Sequence, residues 1–392
     1  VKSIAATNES SLAWAVLLLM PWLPLAARGA GPPGVTVDRA GHLAQYGQPV
    51  RAIGVNYFSA FLRTLRGGKG TQGSTDTSYD EGFRTLAQYD IPFARFAATG
   101  FWPADMRLYQ EDREQYFRRL DAVVESARRH GVGLIPSLFW HNSLVPDLVG
   151  EPCDQWGNRA SKTLQFMRTY VRQVVTRYAK SPAIWGWEFG NEYNLRADLP
   201  AGPAHWPTIA VRLGTPAERS ARDELTSDML RIALVEFGRE VRRYDPYRFI
   251  TSGHSHLRPA AWHLKIERTW TVDSPAQQLE MLALLHPDPI NVVSLHAYGA
   301  DVERIEWAGK AAQKLGKPLL IGEFGVLGEE TPATHQQFLG VLHQVERSGA
   351  PLAAVWVFDL PAHEQRRGNI SGHNARRYRL QAIQAANARL RQ

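Results

Sequence analysis

Two glutamates, Glu192 and Glu323, each close a short apolar run, and other residues able to do chemistry close the neighbouring runs. One run ends at Arg95, another leads into Trp140-His141-Asn142, and a third into Gly190-Asn191-Glu192. Later runs lead into His296-Ala297-Tyr298 and Gly322-Glu323-Phe324-Gly325, and the last contains Trp356. Two carboxyl groups facing one cleft are what glycoside hydrolysis requires: a proton donor for the leaving oxygen and an anion for the anomeric carbon. A glutamate at a strand end is also a common salt-bridge partner, so neither residue alone defines a site. Asn191 beside Glu192 favours the chemical reading, as do Gly322 and Gly325, which leave room for close approach to Glu323. Glu188 lies two pleats earlier than Glu192 on the same strand face, hence deeper, and reads as a buried structural partner. His141 and His296 are each compatible with ordinary packed histidines. No His-x-x-x-His pair or acidic cluster accompanies them, so neither a metal nor another cofactor is expected. Trp356 suits an aromatic floor under a neutral sugar, whereas Trp102, Trp185, Trp187 and Trp262 read as packing residues.

The elements that must position these residues alternate. The strands expected are Val50–Val55, Phe93–Phe96, Gly133–Leu138, Ile184–Phe189, Phe249–Ser252, Val292–Leu295, Leu319–Ile321 and Ala353–Phe358. Helical patterns follow at Glu81–Tyr89, Arg113–His130, Lys162–Ala179, Asp228–Tyr244, Pro275–Leu285, Val302–Leu315, Ala333–Arg347 and Arg376–Leu390. Ser274 before Pro275 is a plausible N-cap, and Gly131 and Gly316 follow helix ends that carry basic residues. Eight strand–helix units in roughly 340 residues is the arithmetic of an α/β fold of the (β/α)8 TIM-barrel type. A doubly wound sheet would need a Gly-rich phosphate loop after its first strand. Gly54-Val55-Asn56-Tyr57-Phe58 holds none. Val35–Leu43, turning at Asp38-Arg39-Ala40-Gly41, reads as a short N-terminal hairpin. The longest connections, Asn56–Asp80, Tyr193–Ser227 and Gly253–Ser274, follow the first, fourth and fifth strands. That puts all three at the C-terminal face, where barrel active sites are built.

Composition narrows the partners. The net charge is +7, but the basic residues are scattered without a run, so nucleic acid is not the expected partner. Twelve tryptophans without basic clustering point to stacking on a neutral ligand, of which sugar is the obvious case. With Cys153 as the single cysteine, no intramolecular disulfide can form. Leu12 to Ala27 is apolar and uncharged, shorter than the ~20 residues of a membrane span, and interrupted by Pro21 and Pro24. Residues 1–30 therefore read as an export signal, with an uncleaved membrane anchor as the alternative, and residues 31–392 as a single barrel domain. The expected location is secreted or periplasmic, with no stable membrane partner unless the segment stays attached. Oligomeric state is not legible.

The combination Arg95, His141, Asn191-Glu192, His296-x-Tyr298, Glu323 and Trp356 resembles glycoside hydrolase clan A, family 5, the cellulase and mannanase family. Val50-Arg51-Ala52-Ile53-Gly54-Val55-Asn56 is similar to that family's first strand, and Trp187-Glu188-Phe189-Gly190-Asn191-Glu192 to its fourth. The resemblance implies a retaining hydrolase of β-linked glucan or mannan, endo-type favoured, with Glu192 as acid/base and Glu323 as nucleophile. It implies that Asn191 binds the sugar 2-hydroxyl, and that Arg95 and Tyr298 keep Glu323 ionised and aimed. By the same resemblance His141 and His296 line the −1 subsite, over Trp356 as its floor. Tyr193 stands where the family usually has proline. These roles require a raised pKa at Glu192 and an anionic Glu323, and they require the two carboxyls to lie about 5–5.5 Å apart rather than 6.5–9.5 Å. A transglycosylase, or a barrel that binds sugar without turnover, is the competing class.

Overall fold

The structure is a computed structural model that describes residues 32–66, 75–298, 302–364 and 368–391. The apolar segment read as an export signal lies outside the described residues. Among those described, no helix is long and apolar enough to cross a membrane.

The chain opens with three short strands, β1 (Val35–Val37), β2 (Leu43–Gln45) and β3 (Gln48–Pro49), paired antiparallel as β1-β2-β3. The expected hairpin is thus a small three-stranded sheet. Eight parallel strands follow: β4 (Ala52–Asn56), β5 (Phe93–Ala97), β6 (Gly133–Phe139), β7 (Gly186–Gly190), β8 (Phe249–Thr251), β9 (Val293–Tyr298), β10 (Leu319–Gly325) and β11 (Leu352–Val355). Their hydrogen-bonded order runs β8-β7-β6-β5-β4-β11-β10-β9. A parallel bridge between Thr251 and Val292 brings the two ends of that order together. With helices between successive strands, this is a (β/α)8 barrel, as the alternation predicts.

Two apolar clusters fix the barrel's ends. At the N-terminal end, Val35, Leu43, Phe93, Ile135, Trp185, Phe249, Leu320 and Leu352 pack together, so the small sheet plugs the bottom. Val35 N donates to Trp185 O at 2.9 Å, which ties the plug to the chain entering β7. At the other end Leu62, Ala97, Trp140, Trp356 and Val357 form a separate cluster beneath the loops. Between them the strands are buried along nearly their whole length, and their polar residues must therefore find partners inside the protein.

The main helices start and stop close to where capping residues place them. Ser274 accepts from Gln277 N and Pro275 occupies the first turn. Asp112, Ser161 and Thr226 likewise accept from the backbone at the starts of helices 113–129, 162–178 and 227–244. The long connection after β7 contains four short 3₁₀ turns, at Tyr193–Arg196, Pro203–His205, Val211–Leu213 and Ala221–Asp223.

Candidate active site

Register brings the polar residues of the strands to one level. Asn56 pairs with Arg95 across β4 and β5, and Glu323 with His296 across β10 and β9. The second pairing depends on a bulge: the β9–β10 register shifts between Ile321 and Glu323. A bulge re-aims the side chain that follows it. Gly322 sits in that bulge, and a Cβ there would lie 2.9 Å from His296 Nε2. The room beside Glu323 is thus taken by the imidazole of the neighbouring strand rather than left for a ligand.

Arg95 is fully buried and organises the floor. Its Nε donates to both oxygens of Glu188 at 2.8 and 2.9 Å, and its Nη1 to Asn56 Oδ1 at 2.8 Å and Glu323 Oε1 at 2.9 Å. Its Nη2 donates to Asn191 Oδ1 at 2.7 Å. Burial opposes the guanidinium charge, but the carboxylates of Glu188 and Glu323 outweigh it and raise the Arg95 pKa. Glu188 is wholly buried, the structural partner the sequence suggests. Because Arg95 takes the carbonyl of Asn191, the amide NH2 is the end left to face the cavity that Asn191 lines.

Glu323 accepts from Arg95 on one oxygen and from the Tyr298 hydroxyl on the other. Burial, and then the Glu323 charge, push the Tyr298 phenol well above its ordinary range, so it remains a donor. Glu192 stands differently. β7 ends at Gly190, and Glu192 follows in a left-handed backbone conformation, φ 54°. The turn, not the pleat, aims its side chain. Its Oε1 lies 2.8 Å from His296 Nδ1. A carboxylate oxygen of each glutamate and a ring nitrogen of His296 all fall within 4.8 Å of one another.

The expected rise in the Glu192 pKa is not found. Burial raises it, but the His296 hydrogen bond and charge, with smaller contributions from Ser255 and Arg95, outweigh burial and leave the carboxyl below its ordinary value. His141 behaves oppositely: burial, then the charges of Arg196 and Arg219, depress it to about 4. It is therefore a neutral imidazole near pH 7, 3.3 Å from Ser143 Oγ through Nδ1.

A cavity of about 780 Å³ opens over this floor. Asn191, Glu192, Glu323, His141, Tyr298 and Trp356 all line it, whereas Arg95 and His296 lie beneath. Its aromatic wall is larger than Trp356 alone. Phe58 lies 4.8 Å from Trp140 and 6.1 Å from Trp356 between ring centroids, and the Arg95 guanidinium sits 4.3 Å from the centre of the Trp140 ring. Trp102, read above as a packing residue, lines the cavity with Phe101, its ring 4.9 Å from that of His141. The signal for Trp140 is its place directly before His141 at the end of β6. Trp102 lies in a loop, with no periodicity to reveal it. The other tryptophans read as packing residues lie outside the cavity wall, Trp185 and Trp187 being buried. Tyr193 is also buried, and its hydroxyl donates to Phe139 O at 2.7 Å. It pins the end of β6, from which His141 projects.

A parallel barrel with two close carboxylates at its C-terminal face, over an aromatic-walled cavity, has the architecture of the barrel glycosidases. The sequence model for "Cellulase (glycosyl hydrolase family 5)" matches residues 45–356, and the chain belongs to that family. Similarity to curated relatives is more local. It is 37% identical over 97 residues to the probable mannan endo-1,4-beta-mannosidase A-1 of Aspergillus terreus, 23% of this chain and 24% of that protein. It is 36% identical over 81 residues to the mannan endo-1,4-beta-mannosidase A of Podospora anserina, 19% of this chain and 21% of that protein. These matches span about a quarter or less of the relatives' length. The fold is similar to that of an endo-1,4-beta-mannanase from Rhizomucor miehei, with TM-score 0.65, 16% identity, 92% of this chain and 100% of that one covered. An exo-beta-1,4-mannosidase from Opitutaceae bacterium strain TAV5 gives TM-score 0.59 at 16% identity, with 91% and 62% covered. At such identity the likeness is one of fold.

Proposed function

We propose that the protein is a retaining β-glycoside hydrolase of β-linked mannan or glucan, with β-1,4-mannan the first substrate to try. The observation that carries this reading is the closeness of the two glutamates, whose carboxylate oxygens fall within 4.8 Å. That closeness supports the retaining class, whose carboxyls stand about 5–5.5 Å apart, over the inverting one, whose carboxyls stand about 6.5–9.5 Å apart. In this reading Glu323, aimed by Arg95 and Tyr298, attacks the anomeric carbon. Glu192 gives a proton to the leaving oxygen and later takes one from water. The amide NH2 of Asn191, held by Arg95, meets the sugar 2-hydroxyl, and the ring lies over Trp356. The covering sugar itself supplies what Glu192 lacks in the free protein, since displacing water strengthens the burial that raises a carboxyl pKa. The preference for mannan rests on the printed names of the relatives that match 81 to 97 residues of the chain. Action outside the cytoplasm rests on the apolar segment Leu12 to Ala27.

The test is incubation of the purified protein with soluble β-mannan and β-glucan, following the anomer first released by NMR. The β-anomer is expected first. Release of the α-anomer first would replace double displacement by inversion, and no release from any β-linked polymer would leave a sugar-binding barrel.

A further inference from the structure

Past the aromatic residues in strand order, the cavity is lined by two arginines. Arg196 closes the 3₁₀ turn that follows Glu192, and Arg258 lies on the connection after β8. Among the described residues, neither forms an ion pair, and the Arg196 guanidinium makes no hydrogen bond. Arg258 donates through Nη2 to Leu195 O at 2.7 Å, while its buried Nε meets no acceptor among the described residues. The neighbouring guanidiniums are neutralised: Arg66 by Asp105, Arg219 by Asp147 and Asp223, and Arg95 by Glu188 and Glu323. The carboxylates lining the cavity among the described residues, Glu192 and Glu323, are engaged by His296 and by Arg95 with Tyr298.

Two like charges converging on one cavity repel. After burial, the charge of Arg196 is what depresses Arg258, and it also contributes to the low value at His141. Arg196 is exposed and water can solvate it, but Arg258 is half-buried with its buried Nε unmatched, and that cation beside a proton donor lacks a counter-charge. An anion between them would remove the repulsion, and guanidinium forks bind planar oxyanions through paired, charge-assisted hydrogen bonds.

We propose that Arg196 and Arg258 form an anion subsite that selects a sugar bearing a carboxylate or a sulfate ester on the leaving-group side of the cleaved bond. The placement rests on the reading of Glu192 as proton donor, because the sugar beyond the donor is the one that departs. The polymer is then an acidic β-glycan, with neutral sugar over the aromatic floor and an acidic unit against the arginines.

The test separates binding from turnover. Glu323→Gln protein is titrated calorimetrically with three β-1,4-linked tetrasaccharides: one all-neutral, one alternating neutral and glucuronosyl units, and one neutral chain carrying 6-sulfate. At least one acidic ligand is expected to bind about tenfold or more tighter than the neutral one, and added NaCl should erode the difference. Adding Arg196→Gln and Arg258→Gln together should abolish the preference. The ligand that wins tells carboxylate from sulfate. Equal or tighter binding of the neutral tetrasaccharide, or a preference that survives both salt and the double substitution, overturns the inference. If the unsubstituted protein meanwhile hydrolyses neutral polymer, the glycosidase reading stands without it. If it hydrolyses none of the three yet binds the acidic ones through the arginines, the subsite stands and the catalytic reading falls.

Discussion

At the scale of single residues, the two glutamates differ in what holds them, and the difference makes their roles separable. Glu323 accepts a hydrogen bond on each oxygen, whereas Glu192 faces the cavity and is restrained by His296. On the proposed roles, Glu323→Gln removes the group that attacks carbon, so turnover should fall for every substrate whatever its leaving group. On the same proposal, Glu192→Gln removes proton transfer, worth about 10²–10⁴-fold, and should spare glycosylation by a nitrophenyl glycoside, whose leaving group needs no proton. Azide should then restore its rate and give a β-azide. Rescue of the Glu323 variant with a β-product, and of the Glu192 variant with an α-product, would exchange the two assignments. The pH profile tests the restraint itself. In the free protein burial raises Glu192, and His296 more than cancels it, so the acid form is lost at lower pH than for an ordinary glutamate. The alkaline limb of kcat/KM, which reports the free enzyme, should therefore lie below that of kcat, which reports the sugar-covered complex. His296→Ala leaves the burial and removes the lowering, so the kcat/KM limb should move to higher pH. An unmoved limb would mean that His296 does not set the Glu192 proton affinity.

At the scale of elements, the site depends on how closely the ends of β7 and β8 approach. Glu192 N donates to Gly253 O at 2.9 Å, and Gly253 has φ 72°. A Cβ on Gly253 would stand 1.9 Å from Gly190 O and 2.8 Å from the Glu188 carboxyl carbon. Gly253→Ala adds left-handed strain to a backbone clash, together on the order of 3 kcal/mol. It should lower the urea midpoint and, by shifting Glu192, cut kcat more than KM. Full activity at wild-type stability would show that this approach is not needed. The sequence made the strand and helix order legible because burial on both faces writes continuous apolar runs, and helix 275–285 coincides with its pattern. It stopped β9 at Leu295 and β10 at Ile321, whereas they run on to Tyr298 and Gly325. The reason is the site: His296, Tyr298 and Glu323 look like loop residues, yet satisfy one another inside the sheet. The cavity's residues at strand ends were readable for the same reason that barrel chemistry gathers there. The bulge at Gly322 was not, since it is set by pairing with β9, and Trp102 and the two arginines lie on loops without a periodic signature.

For the whole molecule, the question is whether the polymer crosses the cavity or only enters it. The cavity draws its walls from every side of the barrel mouth: Phe58 and Arg66 after β4, Phe101 and Trp102 after β5, and Leu195 to His205 after β7. Arg258 follows β8, and Leu327 and His363 follow β10 and β11. In strand order the aromatic residues come from the ends of β11, β4, β5 and β6 and the arginines from the connections after β7 and β8, so groups that can hold sugar are spread around the barrel mouth. Affinity distributed in this way favours a bond with several units on each side, because binding energy from remote units is spent at the reacting centre. A chain end, filling one side only, forgoes half of it. The cavity of about 780 Å³ is also within the range of sites that enclose a drug-sized ligand, too small to bury a long oligosaccharide, so most of a bound polymer lies outside it. On a soluble β-mannan, viscosity should therefore collapse while reducing ends are still few, and the early products should be oligosaccharides of mixed length. Shortening an oligosaccharide at its leaving-group end should lower kcat as well as raise KM, since the lost contacts are those that align the bond with Glu192. Release of monosaccharide alone, with viscosity falling only in step with reducing ends, would mean that one of the two walls is closed to the chain and that the enzyme works from an end.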